Sequence, residues 1–373
     1  MQANALEPPV NRLSLCWMAL PESRPNRELS WLAAMPGASV VAIGERPTGD
    51  PVPFLTRPYR RLTRRFVEAG ALAWFEGLGN VSLDASWIAS LELCALVTGQ
   101  ASSLARRLGA RQAVLTWGND PGNLMYRLPP YRQATERAKE ADLVICLIAA
   151  AKDHCVALGI PEERCRVVMP PVDTDLFHPP DSPVDDPIAL FCSPLAPNKG
   201  IDRVLDAWSL VRRQLPDARL RVVGRGPLES LVKERAAASG GSIEFVGGRD
   251  RQGVAAELRG GTVLVTAPRP TAVWNEQFGL AYVEAMACGL CVVTTACGTN
   301  YEAVGPPNLR VADDEGELAE GLVHFLANPG LRAELGARNR QEVVDRFEMR
   351  QQLGRLRQAF DDCDRIGERP GQG

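Results

Sequence analysis

The second half of the chain alternates short, largely apolar runs with stretches of helical period. Residues 189–192, 220–223, 243–246, 263–266 and 291–295 read as strands. Residues 201–214, 228–238 and 253–259 read as helices, with Pro227 placed at a helical first turn. A further helix is entered at Phe278-Gly279 and stopped by Gly289. Strands that are largely apolar are buried on both faces, so the alternation predicts an α/β fold with a helix-covered parallel sheet. The first half alternates less regularly. Strands are predicted at 13–18, 39–43, 113–117 and 143–148 and a helix at 132–140, and the run 166–169 ends this half. The proline-rich stretch 179–187 reads as a linker. It predicts domains over 1–182 and 183–345, with an amphipathic helix over 346–366 in a C-terminal segment, 346–373, that returns toward the first domain.

Parallel sheets of this kind bind ligands beyond the carboxyl ends of their strands. The loops at Gly224–Pro227, at Glu276 and at 297–300 all follow strands, so all can open onto one crevice. The segment NEQFGLAYVEAMACG is the most informative of them. Two glutamates, Glu276 and Glu284, have seven residues between them. Leu280, Val283 and Ala287 form an inward stripe on the helix, and Glu284 falls on that stripe, where a carboxylate is costly unless satisfied. Glu276 lies just outside the helix start, where unpaired N–H groups attract anions. An anion cradle flanked by two hydroxyl-gripping acceptors suits a phosphorylated, sugar-bearing ligand.

Composition narrows the field. A chain of 373 residues accommodates two domains, and a net charge of -3 gives no case for nucleic-acid binding. The longest apolar run, 143–151, is too short to span a membrane, and no signal peptide is evident at the N-terminus. The ten cysteines fit a reducing cytoplasm. Cys288 and Cys291 have C-x-x-C spacing, but without a completing pair or histidine they read as core filler, and no metal is expected. None of the three histidines, His154, His178 and His324, lies in a catalytic-looking segment. The arginines at 57, 60, 61, 64 and 65 leave two readings open. One is a solvated helix face; the other is a basic amphipathic helix lying on anionic lipid at the inner membrane face, or meeting an anionic acceptor.

Five segments, in order between about residues 113 and 305, together resemble the family 4 retaining glycosyltransferases. They are Trp117-Gly118-Asn119-Asp120, the junction from Val172 to Pro179, Lys199-Gly200 within SPLAPNKG, VVGRGPLE from Val222 to Glu229, and the Glu276/Glu284 pair. Residues 1–110 are similar only loosely. The resemblance implies the GT-B architecture, two Rossmann-like domains facing across a cleft. It also implies hexosyl transfer from a nucleoside-diphosphate sugar, expected to be uridine-linked, to a hydroxyl on a cell-envelope glycan, lipid or small metabolite. No metal or cofactor is implied. By the same resemblance Glu276 would bind the donor sugar's hydroxyls and Lys199 would neutralise the diphosphate. Asp120, the third candidate catalytic residue, has a second reading that stays open, a helix cap ahead of Pro121. Glu284 would bind ribose, and Phe278, Gly279, Leu280, Gly224, Arg225 and Asn119 complete the donor-binding set. Retention implies front-face attack, with the departing phosphate taking the acceptor's proton.

Two departures stand out. The family's second diphosphate cation, an arginine five residues before the lysine, is Pro194 here. Arg225 and Arg249 are the candidate substitutes. The glycine-rich loop after the first strand is replaced by PESRPNR. Pro194 keeps a second function in view, a non-catalytic nucleotide-sugar-binding subunit, and a sugar epimerase of the same fold is a third.

Overall fold

The computed structural model describes residues 13–18, 27–44, 52–61, 73–118, 124–271 and 274–367. The described residues through Met169, with those from Arg350 on, form one compact unit, and Pro170–Met349 form a second.

In the first unit, β1 (Leu13–Met18), β2 (Ala38–Gly44) and β3 (Phe54–Thr56) precede a small antiparallel ribbon of β4 (Tyr59–Arg61) and β5 (Ala73–Phe75). The main sheet continues with β6 (Trp87–Leu91), β7 (Arg111–Thr116), β8 (Leu143–Cys146) and β9 (Cys165–Val167). Its order is β3-β2-β1-β6-β7-β8-β9, and every pairing in it is parallel. The helices are α1 (Arg27–Ala34), α2 (Leu96–Leu108), α3 (Pro129–Ala138) and α4 (Ala149–Ala157). Central β6 is buried at all five positions, as a strand covered on both faces must be.

The second unit repeats the plan. Its strands are β10 (Ile188–Cys192), β11 (Arg219–Val223), β12 (Ile243–Gly247), β13 (Val263–Thr266), β14 (Cys291–Thr295) and β15 (Leu309–Val311). They form an all-parallel sheet ordered β12-β11-β10-β13-β14-β15. Strand order runs outward from β10 one way and from β13 the other, the doubly wound pattern of a Rossmann-like domain, with its switch point between those two strands. Helices α5 (Ile201–Gln214), α6 (Glu229–Ala238), α7 (Arg251–Arg259), α8 (Leu280–Ala287), α9 (Glu315–Leu326) and α10 (Pro329–Phe347) accompany the strands. Trp208, Phe191, Leu220, Val265 and Phe325 lie in one apolar core between sheet and helices.

Three expectations are corrected. The division between units falls at Met169, and the proline-rich stretch 179–187, expected as the linker at 182/183, lies inside the second unit. The reason is anchoring by α10. Arg340 donates to the carbonyls of Phe177 and Thr174, and Val172 N–H donates to Phe347 O. Asp173 accepts from Leu176 N–H, so it orders this junction. Second, the helix expected over 346–366 is broken. Glu348 is extended (φ -53°, ψ 133°) and bridges to Val172, separating α10 from α11 (Met349–Gly367), and the residues from Arg350 group with the first unit. Third, the arginine cluster is not helical where it is described. Arg60 and Arg61 lie on β4, and Arg60 pairs with Glu76. Arg64 and Arg65 lie outside the described residues. Among the described residues, no helix is long and apolar enough to cross a membrane.

Candidate functional site

The loops after β10 and β13 flank the switch point of the second sheet. After β10 the chain makes a single 3-10 turn, Pro197–Lys199, and Gly200 then starts α5. Gly200 has φ 70°, and a Cβ there would lie 1.8 Å from Ala267 O, so only glycine fits this close approach of the two loops. Arg269 fixes the turn from the other loop. Its N–H donates to Asn198 O, and its guanidinium reaches Pro197 O (2.9 Å) and both carboxylate oxygens of Asp202 (2.9 and 2.7 Å).

After β13 the chain returns irregularly to α8 through Glu276. Glu276 O accepts from Thr299 N–H, and Thr299 Oγ1 donates to Gln277 O. The loop after β14 thus holds the Glu276 segment in place. Three buried hydroxyls seat α8 on the strand ends. Tyr282 Oη lies 2.9 Å from Thr266 Oγ1 and 3.0 Å from Thr294 Oγ1. Burial pushes the Tyr282 pKa up, so the phenol keeps its proton.

These supports bring Lys199 and Glu276 together across 77 residues of sequence. Lys199 Nζ donates to Glu276 Oε2 at 2.6 Å and lies 4.4 Å from the centre of the Trp274 ring. The lysine side chain is 21% exposed and the glutamate side chain 11%, so the pair is enclosed yet reachable. Behind it Phe278 is buried and packs edge-on against Phe347, and Gly279 enters α8 at φ 83°. A Cβ on Gly279 would lie 2.2 Å from the Tyr282 ring. Leu280 and Glu284 are half-buried, whereas Val283 and Ala287 are fully buried, so Glu284 sits at the edge of the core stripe. Burial raises the Cys288 and Cys291 thiols to about 12, in keeping with core filler.

Gly224 and Gly226 lie against the β10 loop. Added Cβ atoms would come within 2.1 Å of Ser193 O and 2.5 Å of Leu195 O. Leu195 N–H donates to Arg225 O, so Arg225 is backbone-paired immediately beside Pro194. The two candidate substitute cations differ. Arg249 is paired to Glu257 at 3.4 Å, whereas exposed Arg225 has no carboxylate partner among the described residues.

In the first unit, Asn119 and Asp120 lie outside the described residues. The described part of that motif rests on Glu92, which the sequence reading missed. Glu92 follows β6 beside this sheet's own switch point, and it has φ 65°, rare for a non-glycine residue. Its carboxylate accepts from Trp117 N–H (3.0 Å) and Thr116 Oγ1 (2.8 Å), while the Trp117 indole donates to Glu28 (3.0 Å). Burial pushes the Glu92 pKa up to about 7, against the pull of these bonds and aided by Glu28. A carboxyl whose folded pKa is raised favours folding below its unfolded value near 4.5, and that contribution is lost as pH rises through 7. Glu92→Gln should therefore gain melting temperature relative to wild type as pH goes from 5 to 8. Thermal denaturation at both pH values checks this; a difference independent of pH would contradict it.

Two doubly wound units, the second with a cation and a carboxylate at its strand-end switch point, fit the GT-B fold. The same fold is seen in the crystal structure of Anabaena HepE in complex with UDP and glucose (TM-score 0.72, 18% identity, covering 94% of this chain and 99% of that one). Residues 186–328 match the family model for glycosyl transferases group 1. A GDP-mannose-dependent alpha-(1-6)-phosphatidylinositol monomannoside mannosyltransferase of Mycolicibacterium smegmatis is 30% identical over 302 residues, 75% of this chain and 76% of that protein. A GDP-mannose-dependent alpha-(1-6)-phosphatidylinositol dimannoside mannosyltransferase of Mycobacterium tuberculosis is 28% identical over 219 residues, 55% of each. The chain belongs to the group 1, family 4-type glycosyltransferases. It is a hexosyltransferase.

Proposed function

We propose that the chain transfers a mannosyl group from GDP-mannose, with retention, to a hydroxyl of a phosphoinositide-type glycolipid. The observation that carries the site is the Lys199–Glu276 pair at the switch point of the second unit. The donor follows the two relatives named for GDP-mannose, and their weight over a fold likeness at 18% identity displaces the uridine-linked donor expected from the sequence. The acceptor follows the same names. It is also supported by a basic recess on the first unit, lined by Arg127, Arg132 and Arg137, which suits an anionic headgroup.

In this reading the donor diphosphate meets the Lys199 ammonium and the N-terminus of α8, where N–H groups are unpaired. As the sugar–phosphate bond lengthens, charge grows on the diphosphate, and a fixed cation stabilises it more in the transition state than in the ground state. Glu276 grips sugar hydroxyls and Glu284 the ribose. The departing phosphate takes the acceptor's proton, so no protein base is needed.

A donor panel of GDP-mannose, UDP-glucose, UDP-galactose and UDP-N-acetylglucosamine, scored by nucleoside-diphosphate release with and without a phosphoinositide-mannoside pool, tests the proposal. GDP-mannose should be consumed fastest, and faster with the lipid. Consumption of none would reject the enzyme reading and favour the binding-subunit alternative that Pro194 motivates.

Arg225 supplies the second diphosphate cation in place of the missing arginine at 194. Arg225→Ala should raise the KM for donor about tenfold, a loss of about 1.4 kcal/mol. Adding Pro194→Arg should recover most of it. Unchanged donor kinetics in Arg225→Ala would remove the residue from the site.

A further inference from the structure

The first unit gathers three cysteines that the sequence scatters. Cys146 ends β8, Cys155 lies on α4 and Cys165 opens β9. In the sheet register Cys165 is opposite Val144, and the two-residue period of β8 puts Val144 and Cys146 on one face. Helix α4 packs against β8 and β9 and brings Cys155 to the other two. The three sulfurs lie within 4.8 Å of one another, and Cys146 Sγ is 3.9 Å from Cys155 Sγ. All three side chains are buried, and none is in a disulfide.

Three thiols filling a core would also be buried. Two features go beyond filling. One pair, Cys146 and Cys155 at 3.9 Å, already has the spacing of a coordination shell, in which thiolates about 2.3 Å from one metal ion stand roughly 3.8–4.0 Å apart, and Cys165 lies within 4.8 Å of both. The cluster also has a way in, because Cys165 lines a surface recess together with Lys152, Glu162, Glu163, Arg166 and Val167. Lys152 and Arg166 line the same recess, so their positive charge offsets the negative charge of a loaded site.

We propose that Cys146, Cys155 and Cys165 form a three-thiolate site for a thiophilic d10 cation, Zn2+ or Cu+, in the first unit and apart from the donor loops. Binding forms three metal–sulfur bonds and releases the three thiol protons to solvent. No other His, Cys, Asp or Glu joins the cluster among the described residues. Zn2+ would take water as its fourth ligand, whereas Cu+ is satisfied by three soft donors. His154, the neighbour of Cys155, turns its ring to Tyr126 instead (centroids 4.9 Å apart). The transfer chemistry does not pass through this ion. Its effect is to tie β8, α4 and β9 together.

The test uses the reduced, chelator-treated full chain, titrated anaerobically with Zn2+ and separately with Cu+ against a competing chelator. At least one ion should bind at one equivalent per chain with proton release. X-ray absorption on the wild-type complex should show three sulfurs at about 2.3 Å. Cys155→Ser should weaken binding at least about 100-fold, as loss of a ligand costs no less than loss of a ligand's supporting group. Cys288→Ser should leave it unchanged. Failure of both ions to bind, a shell with fewer than three sulfurs, or binding that survives Cys155→Ser would overturn the proposal. The absorption result does not depend on any variant folding.

Discussion

Lys199→Ala should lower kcat/KM for the donor about 100- to 1,000-fold, the range seen when one preorganised charge contact to a transition state is removed. The loss should fall mainly on kcat, because the lysine acts where diphosphate charge develops. The substitution also leaves Glu276 without the cation 2.6 Å from its carboxylate. Glu276→Gln, which spares the lysine charge, separates the two effects. It should weaken sugar recognition and lower turnover without reproducing the full loss. Melting temperature measured beside the kinetics guards against unfolding as the cause. Near wild-type turnover in Lys199→Ala would remove the residue from its assigned role.

The second large effect is expected at Gly200, which has no side chain with which to bind substrate. A methyl there meets a backbone carbonyl at 1.8 Å, in a left-handed conformation that disfavours any side chain. Neither atom is the end of a flexible side chain, so relief requires the β10 and β13 loops to separate. Gly200→Ala should cost at least about 3 kcal/mol, or about 6–12 °C in melting temperature for a unit of this size. Because Lys199 and Glu276 ride on those two loops, donor turnover should fall with it even well below the melting transition. A variant with unchanged stability and turnover would show that the close approach of the loops does not set the site.

The second unit was legible from its sequence because its central strands, β10, β13 and β14, are buried on both faces and so read as largely apolar runs. Strands β13 and β14 fall where 263–266 and 291–295 place them, and α8 lies between Gly279 and Gly289. The glutamate pair and the PNKG lysine could be singled out one by one. Their meeting was implied only by the family resemblance, since it depends on which strands flank the switch point, and no local pattern encodes that. Elsewhere the deciding contact was distant. Glu348 breaks a helical pattern because Val172 pairs with it, and Tyr59–Arg61 is extended because Ala73–Phe75 lies alongside. Glu92 carries no local signal beyond a charge after an apolar strand; its left-handed backbone and its bonds to residues 116 and 117 appear only in three dimensions. The cysteine cluster was invisible for the same reason, its members being spread from 146 to 165 without ligand-like spacing.

The central claim is that the donor binds at the Lys199–Glu276 loops of the second unit. Amide hydrogen exchange on the full chain, with and without GDP-mannose and with calorimetry confirming that the sugar nucleotide is bound, tests it most directly. Exchange should slow in residues 193–200, 224–228 and 276–284 and stay unchanged on β12 and α9. Bound donor with no protection in those three segments would contradict the account.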